Sequence, residues 1–194
     1  MRMLLASASP RRAELLAAAG YVFSVKPCTV NETPLPGEIP SLYVARLAAA
    51  KADAVTDIAS NNVILGADTC VVLDGDILGK PIDDADAARM LGRLSGRSHE
   101  VLTGVSMRYA NQRVGAVDRT VVHVALLQPA QVAWYVASGE PRDKAGAYAI
   151  QGLAARFIDR IEGSYSNVVG LPLAVVRRLL GELGFDGAQM SENP

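Results

Sequence analysis

The hydrophobic run Val63-Ile64-Leu65-Gly66-Ala67-Asp68-Thr69-Cys70-Val71-Val72-Leu73 constrains the fold more than any other segment. It reads as a buried strand. Asp74-Gly75 follows at once, a strong hairpin signal leading into Ile77-Leu78-Gly79-Lys80-Pro81. Upstream, the apolar start at Leu4-Leu5 reads as another strand, and a helix follows it. There Ser9 is a good N-cap, Pro10 fits the first helical position, and Gly20 is the stop. Residues 22–28 read as a short strand. A polar, Pro-rich loop holds Asn31-Glu32-Thr33-Pro34, and Pro40-Ser41 open an Ala-rich helix to about Ala59.

Beyond the hairpin, Asp83, Asp84 and Asp86 begin a helix that carries Arg89 and Arg93 later and ends at Gly96, as the macrodipole favours. Strands are expected near 99–108 and 113–127. A short helix from Pro129 to Ser138 bears Trp134, read as its core anchor. A Gly-rich polar segment spans 139–152, either a mobile loop or a place where backbone approaches a ligand. A strand near 156–161 and an amphipathic helix over about 172–183 complete the pattern, and 185–194 reads as a flexible tail. Strands and helices alternate with hairpins among them, so the fold class is α/β with a mixed sheet.

With 194 residues, half of them hydrophobic, the chain supports a sizeable core. The balance of 19 Lys and Arg against 20 Asp and Glu argues against non-specific nucleic-acid binding. No apolar run is long enough to span a bilayer, and no signal-peptide pattern opens the chain. The only cysteines, Cys28 and Cys70, suggest no disulfide framework, so a cytoplasmic location is expected, with Cys70 as plain core.

Several residues break their local rule. Arg11 and Arg12 occupy a helix first turn that is already positive. Either they are solvated, or a bound anion reverses the penalty. Asp68 lies inside an apolar strand, where an isolated carboxylate is costly, and a functional role is favoured over a structural ion pair. Counting back through the Asp74-Gly75 turn puts Lys80 opposite Thr69, a cation near that carboxylate. Lys51 shares a helical stripe with Leu47 and Val55, and taken alone it reads as snorkelling to solvent. A divalent ion could join the loop carboxylate of Glu32 to Asp68 if the fold brings them together.

Other readings fail. Gly75 to Lys80 is too short for a P-loop, and Pro81 stands where Ser or Thr belongs. His99 and His123 lack zinc-ligand neighbours. No GxSxG anchors a serine hydrolase.

Taken together, these residues resemble the Maf family of nucleoside triphosphate pyrophosphatases. The resemblance runs from Leu4 to about Leu183. Its blocks are Ser7-Ala8-Ser9-Pro10-Arg11-Arg12, Gly66-Ala67-Asp68-Thr69, Gly79-Lys80-Pro81, Leu94-Ser95-Gly96, Thr103-Gly104-Val105, Asp143 to Tyr148 with Ile150-Gln151-Gly152, and Asn167 to Pro172. In this order and spacing they are highly specific. The resemblance implies one two-lobed domain over 1–184, an elongated mixed sheet with flanking helices, and two lobes around a deep cleft, like inosine triphosphate pyrophosphatases. It also implies a homodimer, a divalent metal cation (Mg²⁺ or Mn²⁺), and a link to cell-division arrest and to the clearing of modified nucleotides, while composition already argues for no nucleic-acid or membrane partner.

By the same resemblance Asp68 is the base or a metal ligand, and Glu32 helps hold the metal. Ser7, Arg12, Lys51 and Lys80 bind or polarise the phosphate chain. Arg11, Thr69 and Gln151 set base preference, and their pattern matches the branch acting on dTTP and UTP. Asn31 stands where many members have Asp. The implied reaction gives the monophosphate and pyrophosphate. The alternatives are a nucleotide-binding regulator of cell division with little or no catalysis, and a plain partner-binding protein.

Overall fold

The computed structural model of the chain describes residues 2–56 and 62–185. In order its elements are β1 (Arg2–Leu5), α1 (Pro10–Ala18), β2 (Phe23–Val25), α2 (Pro40–Asp53), β3 (Asn62–Leu73), β4 (Asp76–Leu78), α3 (Asp84–Leu94), β5 (Ser98–Tyr109), β6 (Gln112–Val124), α4 (Pro129–Ala137), β7 (Ile158–Glu162), α5 (Tyr165–Val169) and α6 (Leu173–Glu182). Short 3₁₀ turns cover Glu140–Asp143, Ala145–Ala147 and Leu153–Phe157. The strands form one mixed sheet in the order β2-β1-β3-β5-β6-β7, with β4 paired to β3. The expected α/β class with a mixed sheet is therefore found.

The chain divides into two compact units. The first takes the described residues up to Asp68, Thr103–Asp118 and those from Gly170 on; the second takes Thr69–Leu102 and Arg119–Val169.

In the first unit β1 lies between β2 and β3 and is parallel to both, with Met3 opposite Phe23 and Val63. Side chains alternate across a strand. Met3, Leu5, Val63 and Leu65 therefore meet α1 and α6 through Leu16, Val176 and Leu179. Ile64 faces the other way and packs with Ala52 and Val55 at the end of α2. Gly66 and Asp68 share the parity of Ile64. At Gly66 a Cβ would fall 2.7 Å from Ala52 N, and at Gly104 one would fall 2.9 Å from Ala45 N. Both glycines thus let α2 lie with its backbone close against the sheet.

In the second unit β3 and β4 form the expected hairpin, antiparallel with Val71 opposite Leu78. Asp74 and Gly75 both have positive φ, 55° and 85°, as the favoured two-residue turn requires. Asp83 caps α3 by accepting from Asp86 N at 2.7 Å. Leu91 and Leu94 of α3 join Val71, Leu73, Tyr135 and Phe157 in a second core. Among the described residues, no helix is long and apolar enough to cross a membrane.

Several local expectations need correction. Helix α2 ends at Asp53, well before Ala59, and residues 57–61 lie outside those described. Strand β2 covers only Phe23–Val25, because Pro27 leaves the ladder without a donor beyond it. Ser9 holds the N-cap position of α1 but its side chain makes no capping bond. Trp134 is 44% exposed rather than a core anchor. It stacks under Arg156 with 4.8 Å from guanidinium to ring centroid, while the adjacent Tyr135 is the buried aromatic. The segment 139–152 is no free loop, since Gly146 to Ile150 are all buried. Helix α5, a turn and a half of chain, has no counterpart among the expected elements. Phe185 packs edge-to-face on Tyr109, and the rest of the expected tail lies outside the described residues.

Candidate active site

The loop from β1 to α1 carries Ser7. Its Oγ accepts from Ser9 N at 3.2 Å and from Arg12 Nη1 at 3.1 Å. Arg12 also donates from Nε to the Gly170 carbonyl at 2.8 Å, and both Ser7 and Arg12 are buried. Helix α1 has no acidic residue in its first turn. Its exposed backbone donors, the macrodipole and a fixed guanidinium together form a positive corner suited to a phosphate. Burial lowers the Arg12 pKa, and neighbouring Arg11 adds to that, while Asp68 and Glu32 oppose it. A guanidinium stays charged through such a shift. Arg11 is half-buried, and its Nε is buried with no hydrogen-bond partner among the described residues.

Lys51 corrects the snorkelling expectation. It is only 9% exposed, and its Nζ donates to Asp68 Oδ1 at 2.6 Å. The same Nζ lies 2.6 Å from Glu32 Oε1. Asp68 is 7% exposed, whereas the Glu32 side chain is 53% exposed. Residues 32, 51 and 68 thus meet at one ammonium. The reason is steric as well as ionic: without a Cβ at Gly66, α2 comes near enough for Lys51 to reach the carboxylate two residues along β3. Burial raises the Asp68 pKa above its ordinary value, opposed by Lys51 and then Arg12, with Glu32 adding to the rise. A carboxylate poised above its usual range is a better proton acceptor near neutrality.

The Glu32 loop is held by α2. Tyr43 Oη donates to the Glu32 carbonyl at 2.9 Å, and Arg46 Nη2 donates to the Thr33 carbonyl at 3.2 Å. Arg46 also grips Glu38 with two bonds of 2.6 and 2.7 Å, which brings the Glu38 pKa down to about 2. Asn31 shapes the same loop. Its Oδ1 accepts from Thr33 N at 2.9 Å, an Asx turn next to Glu32. Neither Tyr43 nor Arg46 stands out in the sequence. Their only signal is an i, i+3 spacing on one helix face, which is common.

Two oxygens, from Glu32 and Asp68, already share one cation, so the donor set fits a hard divalent ion. Among the described residues no group of three His, Cys, Asp or Glu converges. Such an ion would therefore complete its shell with phosphate oxygens and water, as Mg²⁺ sites commonly do.

The remaining sequence candidates belong to the second unit. Thr69 is half-buried on β3 directly after Asp68. Lys80 is exposed beyond β4. The hairpin register does extrapolate to Thr69 opposite Lys80, yet pairing stops at Leu78, and the Gly79 carbonyl accepts from Gly146 N at 3.0 Å instead. The cation bonded to Asp68 is Lys51. Gln151 is exposed in a turn closed by Gly152 N donating to the Ala149 carbonyl at 3.0 Å.

A family model described as Maf-like protein matches residues 2–183. A protein of Citrifermentans bemidjiense named dTTP/UTP pyrophosphatase is 53% identical over 188 residues, covering 94% of this chain and 97% of that protein. A Shewanella oneidensis protein of the same name is 49% identical over 192 residues, covering 95% and 99%. Among solved structures, a HAM1 protein from Coxiella burnetii aligns with a TM-score of 0.54 at 15% identity, over 94% of this chain and 99% of that one. That likeness concerns the fold alone.

Proposed function

This chain belongs to the Maf-like protein family, and from that premise we propose that it is a dTTP/UTP pyrophosphatase. It hydrolyses the α–β phosphoanhydride, leaving the nucleoside monophosphate and pyrophosphate. The observation that carries this reading is the buried Asp68 carboxylate, held by Lys51 and lifted in pKa by desolvation. A protein that only bound nucleotide would have no use for a base kept in so costly a place.

In this reading a water oxygen attacks the α-phosphorus and the bond to the bridging oxygen breaks. The water's proton passes to Asp68, and pyrophosphate takes the electron pair of the broken bond. Arg12 and Ser7 bind phosphate oxygens at the α1 N-terminus, and Lys51 offsets the charge that develops there. Lys80 takes part in binding the phosphate chain. Glu32 would help hold a divalent cation, Mg²⁺ or Mn²⁺, which supplies charge neutralisation for the phosphates, with Asp68 as a further ligand in the alternative where it is not the base. Arg11, Thr69 and Gln151 are assigned to the base. The names of these relatives support thymine and uracil as the bases read.

The test is a panel of dTTP, UTP, CTP and GTP with Mg²⁺ or Mn²⁺, with the phosphate products identified. Pyrophosphate from dTTP and UTP, lost in Asp68→Asn, is expected. Orthophosphate as first product, or turnover surviving in folded Asp68→Asn, overturns the proposal.

A further inference from the structure

The turn that presents Gln151 is fastened at both ends by one buried hydroxyl and one carboxylate. Tyr135 is fully buried on α4, and its Oη donates to Glu140 Oε1 at 2.8 Å. The same oxygen accepts from Ala149 N at 3.2 Å, at the start of the turn. Glu140 Oε2 accepts from Leu153 N at 3.0 Å, at its end. The carboxylate lies so close over Gly152 that a Cβ there would collide with it. Gly152 is not in the left-handed region, with φ −108°, so packing rather than backbone freedom requires glycine here. Tyr135 and Glu140 thus fix the backbone on either side of Gln151.

We infer that Tyr135 and Glu140 are specificity-positioning residues, which fix the Gln151 turn so that its amide distinguishes thymine and uracil from cytosine. This rests on the assignment of Gln151 to the base. The chemical reason lies in the amide. It presents one donor and one acceptor face and can exchange them by flipping. Uracil and thymine offer an N3–H donor beside carbonyl acceptors, while cytosine offers an N3 acceptor beside an amino donor. A loosely held glutamine can meet either edge. A fixed backbone limits how far the glutamine can shift to re-pair with the wrong base, so one edge is left with unpaired polar groups, and such mismatches produce discrimination. Burial holds the Tyr135 phenol far above its ordinary pKa, so it remains a donor to Glu140 at any working pH.

The experiment compares kcat/KM for dTTP and CTP in the full chain carrying Tyr135→Phe, Gly152→Ala or Gln151→Ala. Tyr135→Phe keeps the ring and removes only the hydroxyl. Gly152→Ala pushes the Glu140 carboxylate off Leu153 N without touching the buried ring. Both are expected to lower the dTTP:CTP ratio by about tenfold, the scale of one unmet buried hydrogen bond. The change should fall mainly on KM, with kcat for dTTP held within about twofold. An unchanged ratio in both variants, alongside a lowered ratio in Gln151→Ala, overturns the positioning role and leaves Gln151 as the base reader. An unchanged ratio in Gln151→Ala overturns the reading on which it rests. If Tyr135→Phe does not fold, Gly152→Ala alone decides.

Discussion

Lys51 Nζ donates to Asp68 Oδ1 at 2.6 Å, with both side chains buried. The ammonium restrains the carboxylate without cancelling its desolvation, since the Asp68 pKa is still raised. The pair therefore holds a carboxylate that is protonated at a higher pH than an ordinary aspartate.

The first consequence is a pH profile. Activity needs the ionised form, so kcat/KM for dTTP should climb with pH through the raised Asp68 value. Stability runs the other way. A carboxylate whose folded pKa lies above its unfolded one contributes stability that is full below the unfolded value. That contribution is lost as pH rises through the folded value. Rate against pH, read beside urea unfolding at the same pH values, checks both slopes. Asp68→Asn should remove the acidic limb and cost about 10²–10⁴-fold in turnover. An acidic limb that persists in that variant would exclude Asp68 as the titrating base.

Lys51→Met leaves Asp68 buried without its bonded cation. Breaking such a pair from one side should cost about 3 kcal/mol of unfolding free energy. Part of that loss should return on acidification, as Asp68 protonates. A loss well under about 1 kcal/mol at neutral pH would show that the pair is far more solvated than its burial implies.

Arg46→Met removes the grip on Glu38 and on the Thr33 carbonyl, freeing the segment that carries Glu32. The half-saturating Mg²⁺ concentration should rise about tenfold, with kcat at saturating Mg²⁺ little changed. A Mg²⁺ titration of turnover measures both. An unaltered titration would detach Glu32 from metal binding or Arg46 from Glu32.

Gly66→Ala places a methyl group against the backbone of α2. Overpacking of this kind should cost about 1–3 kcal/mol and move Lys51 away from Asp68. Thermal unfolding and kcat should therefore fall together. Full turnover with a lowered Tm would mean that the helix shifts without carrying its lysine.

His99 titrates away from the site. It is buried against Tyr148, Nε2 to Oη 2.8 Å, and burial lowers its pKa to about 4. The unfolded chain takes up the proton first as pH falls. Stability present above the unfolded histidine value should thus be lost between about pH 6.5 and about pH 4, at roughly 1.4 kcal/mol per unit. Urea unfolding across that range should show the slope, and His99→Leu should flatten it.

The residues legible in the sequence are those that violate a local rule. Asp68 stands out because a carboxylate in an apolar strand needs a partner, and Arg11 and Arg12 because a helix first turn disfavours cations. Lys51 misleads because a helical stripe does not say whether its long side chain turns outward or inward. That choice is made by Gly66 and Gly104, which lie on strands and set how closely α2 lies against them. Glu32 meets Lys51 from a loop that Tyr43 and Arg46 fasten, a tertiary event with no periodic signal. Trp134 and Tyr135 are adjacent on α4, and one residue of rotation decides which is core. Helix α5 is too short to carry a period. The Asp74-Gly75 turn is legible in full, because its backbone demands those residues.

The bond from Arg12 to the Gly170 carbonyl joins residues 158 apart in the chain. During synthesis Arg12 emerges well before Gly170. A nascent chain therefore carries the β1–α1 loop long before this carbonyl exists to orient its guanidinium. The anion corner reaches its final form only when Gly170 arrives, so a chain cut before that residue has the arginine but not the contact that aims it.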